Sequence, residues 1–352
     1  MKKVTKGLWR VVIIILIFNS LVSCSDKNNR KKVSGNIDEI KIGVIVYKED
    51  DTFISTISKN IEKIAKEKEL ENNYKITVTF IDAKVSQANQ NDQVDRMISQ
   101  NFDVICVNIV DRTASAVIID KAKVVDIPII FFNREPVEED MQRWNKVYYV
   151  GADAKQSGEM QANIIIDMYN NDSRAVDKNG DGKIQYVMLE GEPGHQDALI
   201  RTEYCIKTIV ENGIGVEKLA NDTANWQRSQ GASKMKQWNN EFGESIEVVF
   251  SNNDDMALGA IDALDNLNIN TNRPLIVGVD ATPQALEAVK NGTLAGTVIS
   301  DAMEQANTIF NIAYALSTEE NVDEIYDIKN SRYIKTTHTY VTKENVDLYL
   351  EK

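Results

Sequence analysis

Short β-branched runs alternate with stretches of helical periodicity from residue 40 onward, and no other feature limits the fold as strongly. The spacing predicts strands over 40–47 (IKIGVIVY), 74–81 (YKITVTFI), 103–108 and 127–132, with helices over 52–68 and 86–100. Residues 103–108 and 127–132 are nearly all apolar, as strands buried on both sheet faces must be. The second half repeats the rhythm, with strands over 184–189, 245–250, 275–279 and 296–299. Its helices fall over 154–170, 195–212, 226–239 and 254–267. Such alternation predicts an α/β fold with doubly wound parallel sheets. So many strands would crowd one sheet, and two similar lobes are the natural division. A chain of 352 residues, 43% of them hydrophobic, is long enough for two such cores.

In open α/β sheets a ligand binds beyond the C-terminal ends of the strands. Polar and aromatic residues follow those ends here. Asp51 and Phe53 come after 40–47, and Asn133, Arg134 and Glu135 after 127–132. His195 and Asp197 follow 184–189, Asn252, Asn253 and Asp254 follow 245–250, and Asp280 follows 275–279. Contributions from both halves predict one polar ligand held between two lobes. A formal net charge of -13 argues against nucleic acid, whose phosphates need clustered Lys and Arg.

Lys2, Lys3, Lys6 and Arg10 lead into an apolar run over 11–18, the layout of a secretory signal. That run falls short of the ~20 apolar residues a spanning helix needs. Leu21-Val22-Ser23-Cys24 then resembles the lipobox of bacterial lipoproteins. The resemblance implies a signal peptide over 1–23 and a diacylated Cys24 that holds the mature chain to the membrane. Residues 24–38 are mostly polar and lack aromatic side chains, as a tether should. Cys106 and Cys205 sit in apolar or helical contexts, where buried free thiols are expected.

Residues 177–185 (DKNGDGKIQ) place oxygen-bearing side chains at Asp177, Asn179, Asp181 and Gln185, with Gly182 at position six. This is the order of the first nine positions of an EF-hand loop, where oxygen donors converge on a calcium ion and the glycine permits the sharp turn. Lys183, at position seven, would offer its backbone carbonyl. The pattern then breaks, because position twelve is Met188 instead of a bidentate Glu. A calcium ion in this loop needs its last carboxylate from elsewhere.

Several long strings together resemble the bacterial D-galactose/D-glucose-binding proteins of the periplasmic-binding-protein class. They are YKEDDTF (47–53), FFNREP (131–136), YYVGAD (148–153), DKNGDGKIQYVMLEGEPGHQDALIRT (177–202), TANWQ (223–227), IEVVFSNNDDMALGA (246–260), GVDATPQAL (278–286) and LAGTVISDA (294–302). The resemblance implies the type I fold of that class, with one lobe from 39–152 plus 300–336 and the other from 153–299 plus 337–352. Three hinge strands would join them. It implies Phe53 and Trp226 as the stacking faces for a pyranose, and Asp51, Asn133, His195, Asp197, Arg201, Asn253 and Asp280 as the residues that bond its hydroxyls. Ser300 stands where the resemblance calls for an Asn. The missing calcium carboxylate would be Glu247. The implied partners are glucose or galactose, an ABC sugar permease and, in a sensing role, a chemoreceptor or sensor kinase.

The chemistry of these residues agrees. A pyranose presents hydroxyls around its rim and C–H faces that pack on aromatic rings, and carboxylates make strong charge-assisted bonds to hydroxyls. Asp197 and Arg201 are i,i+4 on a helix, so they share a face and Arg201 can neutralise the acid. A glycosidase would need one carboxylate pair flanking a bond, whereas here the acids are interleaved with amides and an Arg. A repressor of the same core fold would need a helix-turn-helix ahead of residue 40, where the signal sequence lies.

Overall fold

The structure, a computed structural model, describes residues 39–72, 75–326 and 332–350. The signal peptide over 1–23, Cys24, the tether over 24–38 and Tyr74 lie outside the described residues.

In chain order the first strands are β1 (Glu39–Val46), β2 (Lys75–Asp82), β3 (Val104–Val107), β4 (Ile129–Phe132), β5 (Val147–Ala152) and β6 (Lys183–Glu190). They continue with β7 (Gly215–Thr223), β8 (Val248–Ser251), β9 (Leu275–Val277), β10 (Thr297–Ser300), β11 (Tyr333–Thr336) and β12 (His338–Val341). Parallel pairing builds a six-stranded sheet in the order β11-β5-β4-β3-β1-β2. A second parallel sheet has the order β7-β6-β8-β9. Bridges from Val277 to Gly296 and from Asp280 to Ile299 continue it toward β10, which β12 joins in antiparallel register with Ser300 opposite His338. Both sheets wind outward from their first strand in the same sense, which is the doubly wound α/β pattern.

The apolar runs explain the burial. β3, β4 and β5 are buried at every residue because helices cover both faces of the first sheet. Helix Thr52–Glu71 turns Ile54, Ile57, Ile61 and Ala65 inward, at the spacing of one helical stripe. Fully burying each such isoleucine contributes about 1.5–3 kcal/mol. Cys106 and Cys205 are buried free thiols, and burial pushes both well above the ordinary thiol range.

The chain passes between the two sheets in three places. After β5 it enters helix Ala154–Asn171, whose Ala162, Ile164, Ile165 and Ile166 pack with Tyr186 and Met188 of β6. After β10 it enters helix Ala302–Thr318, which packs against helix Thr52–Glu71. Only Thr337 separates β11 in the first sheet from β12 beside β10. Sequence periodicity misses β5, β7, β11 and β12, and it begins β8 too early, because Gly243–Ser245 is a 3-10 turn.

Candidate functional site

Both sheets point the C-terminal ends of their strands at one cavity. Its walls are Tyr47, Asp51, Phe53 and Ile54 after β1, Asn133 and Arg134 after β4, and His195, Asp197 and Arg201 after β6. Trp226 after β7, Asn253 after β8 and Asp280 after β9 complete it. Every sugar-contact residue expected from the sequence is therefore here except Ser300. That side chain is buried, accepts from Gln305 Nε2 at 3.4 Å, and lines an adjoining pocket that shares Phe53 and Asp280 with the cavity.

Three of these residues are held by the helices they begin. Asp51 Oδ1 accepts from Ile54 N at 2.9 Å, Asn253 Oδ1 accepts from Met256 N at 3.0 Å, and His195 Nδ1 accepts from Asp197 N at 3.2 Å. Capping fixes their rotamers before any ligand arrives. Others sit on unusual backbone: Asn133 has φ 59°, Trp226 φ 63° and Asp280 φ 120°. Left-handed conformations at non-glycine residues cost free energy and concentrate where side chains must be aimed.

Second contacts set the charge state of the walls. Tyr47 donates its hydroxyl to Asp51 Oδ2 at 2.6 Å, and the Arg134 guanidinium lies 3.6 Å from the centre of the Tyr47 ring. Burial and the Asp51 charge push the Tyr47 phenol far up, so it stays a neutral donor. Arg201 spreads its guanidinium over Ser157 Oγ (3.1 Å), the Asn252 carbonyl (2.9 Å) and Asp197 Oδ2 (3.3 Å). Burial raises the Asp197 carboxyl and Arg201 pulls it back. His195 is held well below the usual imidazole range by burial and by Arg134, Arg201 and Arg112. A neutral ring whose Nδ1 accepts a backbone N–H carries its proton on Nε2, so His195 is a donor.

Sequence reasoning missed the contacts that tie the halves together. Arg134 Nη2 pairs with Glu192 Oε2 at 2.7 Å, Thr52 Oγ1 donates to Asp255 Oδ2 at 2.6 Å, and Arg112 Nη2 donates to Gln196 Oε1. Arg134 was visible at a strand end. Glu192, in a glycine- and proline-rich turn, carried no signal of its own.

Residues 42–321 match the periplasmic binding protein domain family. This chain belongs to that family. It is 37% identical over 314 residues to the D-galactose/methyl-galactoside binding periplasmic protein MglB of Haemophilus influenzae, spanning 88% of this chain and 92% of that protein. The xylitol-binding protein of Mycolicibacterium smegmatis is 29% identical over 322 residues, spanning 90% of this chain and 81% of the relative. An ABC transporter solute binding protein from Bacillus halodurans, crystallised with bound myo-inositol, is 32% identical. It superposes with a TM-score of 0.75 over 90% of this chain and 99% of its own. Members of the periplasmic binding protein family are solute receptors and not enzymes.

The 177–185 loop of this periplasmic binding protein lies away from the cavity. Asp177 accepts from Gly180 N (2.6 Å) and Asp181 N (3.2 Å) with Oδ1, and from Gly182 N (2.9 Å) with Oδ2. Gly182 has φ 84°, which the turn requires. Glu247, 1% exposed, accepts from Lys178 N (2.7 Å) and Asn179 N (3.2 Å) with Oε1 and from Gln185 N (3.0 Å) with Oε2. The side chains of Asn179, Gln185 and Asp181 close on one another, with Asn179 Nδ2 on Gln185 Oε1 (3.0 Å) and Gln185 Nε2 on Asp181 Oδ2 (2.8 Å). Among the described residues, no three His, Cys, Asp or Glu side chains converge closely enough to hold a metal by themselves. The donors fit a hard cation in kind, provided both amides turn their oxygens inward.

Proposed function

We propose that this periplasmic binding protein captures a hexose of the glucose/galactose type outside the cytoplasm and delivers it to an ABC permease. One observation carries the reading. Phe53 and Trp226 enter the cavity from opposite halves of the molecule, and Asp51, Asn133, His195, Asp197, Arg201, Asn253 and Asp280 lie in its walls with them. Two aromatic faces with a polar belt complement a pyranose, and the galactoside-binding relative supports the same ligand class.

In this reading Phe53 and Trp226 cover the sugar's C–H faces. Asp51 and Asp197 accept from hydroxyls, the neutral His195 donates through Nε2, and Arg201 stabilises the Asp197 charge as water is expelled. The resemblance assigns Asp51 to the hydroxyl on carbon 4, where glucose and galactose differ. The lobes are residues 39–152 plus 300–336 and 153–299 plus 337–352. They swing about the three connections and close through the Arg134–Glu192 and Thr52–Asp255 contacts.

Calcium, held by Asp177, Asn179, Asp181, Gln185, the Lys183 carbonyl and Glu247, crosslinks the second lobe. A diacyl group on Cys24 keeps the receptor at the membrane beside its permease.

Calorimetric titration with glucose, galactose, ribose and xylose tests the central claim. One or both hexoses should bind about tenfold or more tighter than either pentose. Tighter pentose binding, or no heat with any sugar, would overturn it.

A further inference from the structure

A pocket of about 210 Å³ adjoins the main cavity, and the two share Phe53 and Asp280 as a common wall. Its character is different. Ala281, Leu286, Ile299, Ala302 and Tyr349 join Phe53 in lining most of it, and Ser300 adds a short hydroxyl that already bonds Gln305. Its other polar residues are Asp280, shared with the main cavity, Thr56 on the rim, and Asp301 and Thr282, which cap helices by accepting from Glu304 N at 2.8 Å and Ala285 N at 3.4 Å. Asp280 and Ala281, with φ 120° and 56°, form the strained turn between the two spaces. Asp280 N donates to Val298 O at 2.7 Å, which fixes that turn against β10.

We propose that this pocket is a second subsite, which receives an aryl substituent on the hexose seated in the main cavity. The proposal rests on the sugar reading of the main cavity. Its size agrees with an aromatic ring, since an apolar cavity of about 150 Å³ already admits benzene. Its position agrees as well, because a group projecting past the edge of Phe53 leaves the polar belt and meets aliphatic surface. A free hexose would leave the pocket to water. A glycoside or benzyl ether of the same sugar would fill it.

Calorimetry on the whole chain tests this with free galactose and glucose, their phenyl α- and β-glycosides, and their 2-O- and 3-O-benzyl ethers. At least one aryl derivative should bind within about tenfold of its parent sugar or more tightly. Thr56 lies on the exposed rim of the pocket, so Thr56→Trp fills it without disturbing the core. That variant should weaken the aryl derivative by about tenfold or more while changing free-sugar affinity by no more than about twofold. Ala302→Phe, which fills the pocket from the first residue of the helix packed against Thr52–Glu71, should do the same. The proposal is overturned if every aryl derivative binds more than about tenfold more weakly than its parent. It is also overturned if both fillings weaken parent and derivative alike. Failure of the free hexoses to bind at all would instead remove the sugar reading beneath it.

Discussion

The imidazole of His195 stands edge-on to the indole of Trp226, with ring centroids 5.0 Å apart and planes crossing at 73°. Both side chains border the cavity, so the pair fixes the tilt of the aromatic face offered to a ligand. The indole reaches this position because Gly191 has no side chain, and a Cβ there would fall 2.1 Å from the ring.

Trp226→Ala should therefore weaken glucose and galactose by a similar factor, on the order of 1–3 kcal/mol, the scale of burying a large apolar side chain. Gly191→Ala should displace the same indole without removing it, shifting tryptophan emission and weakening both sugars in parallel. Titration that finds Gly191→Ala with unchanged affinity would mean the indole is not a ligand face.

Most of the candidate site was legible because its residues follow strand ends, which are marked by apolar runs that stop abruptly, whereas Trp226 and Arg201 came only with the family resemblance. β3, β4 and β8 are such runs. β7 escaped because it exposes much of its length and shows no alternation, and β11 and β12 because each mixes polar with apolar residues and is only partly buried. Tyr47 was legible as the last residue of a strand, but its bond to Asp51 was not, since that depends on where the turn after β1 brings the acid back. Ser300 stands where the resemblance calls for an Asn, and its side chain lines the adjoining pocket instead of the main cavity.

Arg134 and Glu192 connect the two halves at 2.7 Å, and Arg134 is 7% exposed. A pair this sheltered contributes more than a surface ion pair, and a hydrogen bond to a charged group contributes about 1.5–3 kcal/mol. Glu192→Gln should loosen the closed form and speed sugar dissociation, with little change in the association rate. Stopped-flow tryptophan fluorescence separates the two rates. A slower association with unchanged dissociation would show that the pair acts on encounter and not on closure.

The 177–185 loop and Glu247 belong to distant segments, so an ion between them would act as a crosslink. EDTA should lower the melting temperature and excess calcium should restore it, while glucose binding persists at temperatures below the transition. Glu247→Gln keeps an oxygen for the backbone N–H groups but removes the charge, and should make the melting curve insensitive to EDTA. A wild-type curve that EDTA leaves unchanged would mean the loop is closed by its own hydrogen bonds alone.

Asp254 lies beneath the cavity floor, where Thr297 Oγ1 donates to Oδ1 at 2.6 Å and Thr282 N to Oδ2 at 2.8 Å. Burial nonetheless pushes its carboxyl from the usual 3.8 up to about 7, and burial also raises neighbouring Asp280. The sign of the effect follows from proton binding. Between about pH 4 and 7 the folded state holds a proton on Asp254 that the unfolded state has released, so this group's contribution to stability falls as pH rises. His195 acts oppositely, because its depressed value makes the unfolded state the better proton binder below about pH 6.5. Whole-protein melting curves mix the two, so the test is a difference. Asp254→Asn keeps an oxygen for Thr282 N and offers an amide to the Thr297 hydroxyl, but it has no charge to bury. The melting temperature of the variant minus that of wild type should therefore rise steadily from pH 4.5 to 7.5. A difference that stays flat across this range would show that Asp254 is ionised throughout, with the two hydrogen bonds outweighing its burial.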